Sequence, residues 1–221
     1  MKLSAVTLTL LSASAVPMSV AQANPAQAAV QDVFKGSMLG VNQRYFESVA
    51  GIPRESFGND HLFVVKNCRI TATIKNDKVS ALNLVMANGC EADLRSFIGD
   101  DAPPAGQPIT PGAFGSGLRY TASCLAGCGN AVDPSAYALW QAPRSSGGME
   151  VLLEMVLASG KASSAAHAWR EHMNKSAGED YVLQTQFNCE TRFDAFATKV
   201  FQDVPVSSVT IGYGLPQQKC R

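Results

Sequence analysis

The 221-residue sequence predicts an α+β fold, with helices packed on a largely antiparallel sheet in two α/β units stapled by disulfides. Three observations predict it. Residues 68–90, CRITATIKNDKVSALNLVMANGC, read as a hairpin with a cysteine near each end, because apolar residues alternate on both sides of a polar turn. Several other segments carry apolar residues at helical period, most cleanly Phe193, Phe196, Ala197, Val200 and Phe201 at i, i+3, i+4, i+7 and i+8. Strands and helices do not alternate regularly, as βαβ units would require.

The hairpin register follows from its apolar faces. A three-residue loop, Asn76-Asp77-Lys78, sets Ile70 opposite Leu84 and Ala72 opposite Leu82, so the apolar faces match. A four-residue loop sets Ile70 opposite Asn83 and exposes Leu82 and Leu84. Before the hairpin, Ser37 is expected to cap a helix through Ala50 with Met38, Val41, Tyr45 and Val49 on one stripe, ended by Gly51 and Pro53. His61 to Val65 reads as a strand. Glu91 to Ile98 reads as a short helix with Leu94, Phe97 and Ile98 inward.

Residues 99–117, GDDAPPAGQPITPGAFGSG, hold four prolines and five glycines and read as a linker between a first unit, 24–98, and a second, 118–221. In the second unit, Tyr137 to Trp140 and Met149 to Leu157 read as strands, with Met149, Val151, Leu153, Met155 and Leu157 on the buried face. Ala162 to Lys175 reads as a helix whose stripe is Ala162, Ala165, Ala166, Trp169 and Met173. Tyr181 to Phe187 reads as a strand. Thr191 and Asp194 fit a capping box for a helix running to about Gln202, and Val209 to Leu215 alternate as a last strand.

The N-terminus reads as a signal peptide of residues 1–23. Lys2 is the only charge before Asp32, Leu3 to Val16 is apolar, and Ala21-Gln22-Ala23 is a small-x-small cleavage pattern; Ala26-Gln27-Ala28 is a second candidate. No other stretch approaches the ~18 apolar residues of a membrane span, so the protein is expected not to be membrane-spanning. Lys plus Arg equals Asp plus Glu at 18 each, and no basic stripe exists to match a phosphate backbone, which argues against a nucleic-acid partner. Charged residues are 16%, below the roughly 25% of average domains, and with the signal peptide this composition fits a bacterial periplasmic or secreted protein.

Six cysteines remain after cleavage: Cys68, Cys90, Cys124, Cys128, Cys189 and Cys220. An even count in an oxidising compartment favours full pairing, and nearest neighbours give Cys68–Cys90, Cys124–Cys128 and Cys189–Cys220. Cys124-Leu-Ala-Gly-Cys128 could be a redox pair or two metal ligands. Redox pairs normally have two intervening residues, and zinc needs two more ligands at spacing the chain does not offer, so a structural disulfide is favoured.

Catalytic signals are sparse. His167 and His172 lie five apart on a helix, about 140° round its axis, and would not chelate one metal. Gly112 to Gly117 lacks the Lys-Ser/Thr ending of a phosphate loop, and no G-x-S-x-G elbow occurs. Glu150 and Glu154 would sit about 13 Å apart on one strand face, too far for a glycosidase pair, and read as solvated charges. Asp93, Arg95, Asp100 and Asp101 form a polar patch. No cofactor is expected. Loop aromatics and charges that could meet a partner are Phe57, Phe114, Arg119, Tyr137 and Trp140.

The first unit has a recognisable order in SMLGVNQRYFESVAGIPRE followed by FVVKNCRITATIKNDKVSALNLVM: a capped helix, Gly-Ile-Pro, then strands with a polar turn. Residues 37–86 thereby resemble the small outer-membrane-assembly lipoproteins and the repeated half of the secreted beta-lactamase-inhibitor protein. The resemblance implies a binding protein with helices on one face of an antiparallel sheet. The chain has no lipidated cysteine near the cleavage site and no visible tandem repeat. The expected function is a non-catalytic protein-binding module for another envelope or secreted protein. The alternatives are an enzyme of hydrolytic or redox type with a dispersed site, and a small-ligand or lipid carrier.

Overall fold

The computed structural model describes residues 29–87, 89–142 and 148–219. The expected signal peptide and Cys220 lie outside these residues. The chain forms α1 (Val30–Val33), α2 (Gln43–Ala50), β1 (Glu55–Phe57), β2 (Asp60–Val65), β3 (Cys68–Lys75), β4 (Lys78–Val85), α3 (Arg95–Ile98), β5 (Arg119–Ala122), β6 (Ser135–Gln141), β7 (Glu150–Val156), α4 (Gly160–Ala177), α5 (Glu179–Leu183), α6 (Asp194–Phe201) and β8 (Ser208–Gly212). All eight strands join one antiparallel sheet in the order β1-β2-β3-β4-β8-β7-β6-β5, so the fold is α+β.

Each sequence unit contributes four strands, and β8 joins them. It pairs with β4 on one side and β7 on the other, setting Ile211 between Leu82 and Val151, and Val209 between Leu84 and Leu153. All six side chains are fully buried on the face that carries the helices. The segment expected as a linker is packed. Ile109, Pro111 and Phe114 are buried, the Ile109 carbonyl accepts from Val206 N, and Gly112 N donates to the Gln202 carbonyl.

The hairpin register is as expected, with Ile70 opposite Leu84 and Ala72 opposite Leu82, but the loop differs. Lys75 pairs with Lys78, so the turn is only Asn76-Asp77, both at positive φ (52° and 61°), as a two-residue hairpin turn demands. Thr73 pairs with Ala81 and Ile74 with Val79, which leaves Ser80 unopposed as a bulge. One residue lost from the turn is regained in the bulge, and the apolar faces stay matched. Beside the bulge, β8 comes so close that a Cβ on Gly212 would lie 2.5 Å from the Ser80 carbonyl oxygen. No other residue fits there without separating the strands.

The helix expected from Ser37 begins later. Residues 36–38 form a 3-10 turn, and Asn42 caps α2 by accepting from Tyr45 N at 2.8 Å. Gly51, at φ 91°, ends it. In α4 the five expected stripe residues are all buried. Trp169 is enclosed by Phe187, Phe201 and Tyr120, with ring centroids 5.2, 5.9 and 6.3 Å away. Tyr181 to Phe187 is not a strand. Its first part is α5 and its last part a 3-10 turn, with Thr185 at φ 51° between them. A short apolar run fits either element, and Glu179 and Asp180 in the first turn favour the helix.

The two outer edges of the sheet differ. At β5, Asn188 presents its carboxamide like a partner strand: Oδ1 accepts from Ala122 N and Nδ2 donates to the Ala122 carbonyl, both at 2.9 Å. The Asp194 carboxylate accepts from Tyr120 N, so it is not the second half of a capping box with Thr191. Burial pushes the Asp194 carboxyl up to about 6, against the lowering effects of that hydrogen bond and of Arg119. At the other edge β1 is three residues long and fully exposed.

Cys68–Cys90 and Cys124–Cys128 are disulfides. Cys189 is also disulfide-bonded, and its expected partner Cys220 lies outside the described residues. Because the two bonds span separations of 22 and 4 residues, alanine replacement of the first pair should lower unfolding free energy by about 3 kcal/mol and of the second by about 2 kcal/mol in urea titrations. Asn188→Ala leaves an Ala122 N–H and C=O unpaired at a buried edge; we expect about 2–4 kcal/mol of destabilisation and faster aggregation on heating, followed by light scattering.

Candidate functional site

Strand alternation sends Thr71, Thr73, Asn83, Ser208, Thr210, Glu154, Ser135 and Tyr137 to the face of the sheet opposite the helices. Six of these side chains, all but Thr71 and Thr73, form one network across the four strands β4, β8, β7 and β6. Asn83 Nδ2 donates to Thr210 Oγ1 at 2.9 Å and to Ser208 Oγ at 3.1 Å. Ser208 Oγ donates to Glu154 Oε2 at 2.7 Å, and Ser135 Oγ and Tyr137 OH donate to Glu154 Oε1 at 2.8 and 3.4 Å. Both serines are buried. Burial first, and then the neighbouring Glu154 carboxylate, raise the Tyr137 phenol above its ordinary range.

The two glutamates expected as solvated charges are therefore engaged. Glu154 gathers three hydroxyls. Glu150 accepts from Gln141 Nε2 at 2.8 Å and from Leu215 N at 2.7 Å. The second contact anchors the C-terminal segment, which continues to Lys219, whose carbonyl accepts from Asn188 Nδ2. This segment thus runs from the centre of the sheet to the β5 edge.

Two hollows open on this face. The larger, about 650 Å³, lies between the β1–β2 turn and residues 213–216; Phe57 and Tyr213 stand on its walls and Thr71, Thr73, Asn83 and Thr210 line it. The smaller, about 440 Å³, is lined by Glu154, Tyr137, the Cys124–Cys128 loop and Leu183. Thr73 Oγ1 donates to Asp60 Oδ1 at 2.7 Å, which ties the β1–β2 turn to β3.

Of the five residues expected to meet a partner, the structure exposes one fully. Phe57 is 89% accessible. Phe114 and Trp140, at 8% and 9%, pack on each other in the core and are corrected to structural residues. Their stretches are apolar enough to be recruited inward, which a loop assignment for residues 112–117 concealed. Arg119 is half-buried, and its Nη2 donates to the Asn188 carbonyl, so it supports the β5 edge. Tyr137 is half-buried and bound to Glu154. The polar ladder was visible only as the outward half of each alternating strand; which strands would be neighbours was not.

The histidines stand apart from this network. His61 Nδ1 meets Ser56 Oγ, His167 Nδ1 meets Arg170 Nη2, and His172 stacks on Phe196 with centroids 3.9 Å apart. Asp93 accepts from Arg95 N at the start of α3. Among the described residues, no three His, Cys, Asp or Glu side chains converge as a metal site, and no helix is long and apolar enough to cross a membrane. No protein-family model, curated protein or solved structure matches this chain. Its function has to be read from the molecule.

Glu154→Gln keeps the shape but presents an amide nitrogen to Ser208, whose oxygen already accepts from Asn83. We expect a loss of about 1–2 kcal/mol in urea denaturation. The Tyr137 pKa, followed by NMR of ring-labelled tyrosine, should fall toward its ordinary value without reaching it, because burial is the larger cause.

Proposed function

We propose that the chain is an exported, non-catalytic binding protein whose partner is another envelope or secreted protein. The mature form begins after Ala23 and resides in the periplasm or outside the cell, where its disulfides are stable. The partner docks at the β1 side of the sheet. The observation that carries this reading is the asymmetry of the edges. The β5 edge has its backbone groups occupied by Asn188 and Asp194. The β1 edge is exposed and flanked by Ile52 at 87% and Phe57 at 89% accessibility.

Natural sheets normally shorten or cover such an edge; β1 is short but exposed along its length. An extended segment of the partner would add to β1 by backbone hydrogen bonds, the mode in which edge pairing supplies affinity and side-chain pockets supply specificity. Phe57 also borders the 650 Å³ hollow, so a partner held at β1 would reach the rim of that hollow, whose lining includes Thr71, Asn83 and Thr210. Neutral hydroxyls and an amide suit a polar side chain or a backbone turn.

The test is photocrosslinking from the tagged mature protein in its own periplasm and culture medium. A crosslinker at position 57 should trap one dominant protein, and one at position 190, near the capped edge, should not. Ile52→Asp should reduce that capture at least tenfold while leaving the thermal midpoint unchanged. Equal capture from both positions, or none from position 57, would overturn the edge-docking reading.

A further inference from the structure

The Cys68–Cys90 and Cys124–Cys128 disulfides have opposite surroundings. Cys68 and Cys90 are 1% and 4% accessible and sit at the end of the β3–β4 hairpin. Cys124 is half-buried and Cys128 is exposed. They belong to the segment between β5 and β6, whose base is closed by Ser123 N donating to the Ser135 carbonyl at 2.9 Å. The bond therefore lies outside the sheet ladder, and opening it breaks no strand pairing.

A second observation concerns charge. Both cysteines line a hollow of about 190 Å³ together with His167 and Arg170 from α4. Arg170 Nη2 lies 2.9 Å from His167 Nδ1 and 3.5 Å from Glu171 Oε1, a partly exposed pair that leaves the guanidinium only weakly compensated. On the other side of the loop, Asp133 and Glu154 border the 440 Å³ hollow. The sulfurs thus sit between a cationic and an anionic side, and a developing thiolate is favoured on the α4 side. Cationic neighbours and solvent access are the conditions that make a cysteine sulfur reactive.

We propose that Cys124–Cys128 is a thiol–disulfide exchange site, taking an external thiol as co-reactant, whereas Cys68–Cys90 is purely structural. The thiolate of the co-reactant attacks the exposed Cys128 Sγ. The Cys124–Cys128 bond breaks, its electron pair leaves on Cys124 Sγ, and Arg170 and His167 stabilise that thiolate. A mixed disulfide with Cys128 remains. A second thiolate attacks the co-reactant sulfur of that mixed disulfide and releases Cys128 as thiolate. Two thiols are oxidised to one disulfide, the protein disulfide is reduced to two thiols, and the protons of the two co-reactant thiols pass to solvent or to the cysteines. This chemistry is independent of partner docking at β1.

The test uses the intact oxidised mature protein in glutathione buffers of graded poise, quenched with acid, alkylated with light and heavy reagents and mapped by peptide mass spectrometry. Cys124 and Cys128 should be labelled at least tenfold faster than Cys68 and Cys90, reversibly, with near-UV circular dichroism preserved. The double variant His167→Gln, Arg170→Gln should slow labelling of Cys124 and Cys128 several-fold. Similar rates for the two disulfides in the unaltered chain, or reduction of Cys124–Cys128 only on unfolding, would overturn the proposal. Wild-type kinetics in a folded double variant would remove the cationic hollow from the mechanism; if that variant does not fold, the rate comparison in the unaltered chain decides.

Discussion

Everything in this fold depends on the ladder that β8 makes with β4 and β7. The first four strands and the next three have no other shared sheet, and only the last strand gives both a neighbour. Its two core residues, Val209 and Ile211, are completely buried, so burial and backbone pairing are supplied by the same five residues. Beside the bulge at Ser80 in the β3–β4 pairing, the missing side chain at Gly212 lets β8 close on β4. The continuity of the core and the continuity of the polar face both follow from this join. The Asn83–Ser208–Glu154 chain of hydrogen bonds crosses it directly.

Local pattern revealed local structure. The alternation of Ile70, Ala72, Leu82 and Leu84 fixed their register even though the turn length was misjudged, because a one-residue slip would have turned an entire apolar set to solvent. The α4 stripe was legible for the same reason, since five buried positions at helical period admit one face. Tyr181 to Phe187 failed because a short apolar run has no period long enough to separate helix from strand. The polar site was illegible for a different reason. Glu154 gathers hydroxyls from residues 135, 137 and 208, which meet only through strand order, and strand order is a long-range property. Glycine and proline content also misled: residues 99–117 have the composition of a linker, yet their few apolar residues dock on the chain around Gln202 and Val206.

Side chains here substitute for backbone wherever the sheet stops. Asn188 and Asp194 come from elements that follow α4 in sequence, yet they serve the outward groups of β5, some seventy positions earlier. A carboxamide is well suited to this, since one group offers a donor and an acceptor at strand spacing. Such an edge cannot recruit another strand. The contrast with β1 is a contrast in chemistry, because both edges belong to the same sheet and only one has been given partners. The disulfides follow the same logic of position. The bond tied to the hairpin is sealed from solvent, and the bond in the loop is not.

The central place of the last strand also orders events in time. A sheet whose middle is occupied by residues 208–212 cannot be completed while those residues are still being made. Until they arrive, the edges of β4 and β7 stand open side by side, each presenting apolar residues and unpaired backbone. Closing so distant a contact carries a large loop entropy, and chains dominated by non-local pairing fold slowly. Folding is thereby tied to the arrival of residues 208–212, whose place between β4 and β7 no other described strand fills.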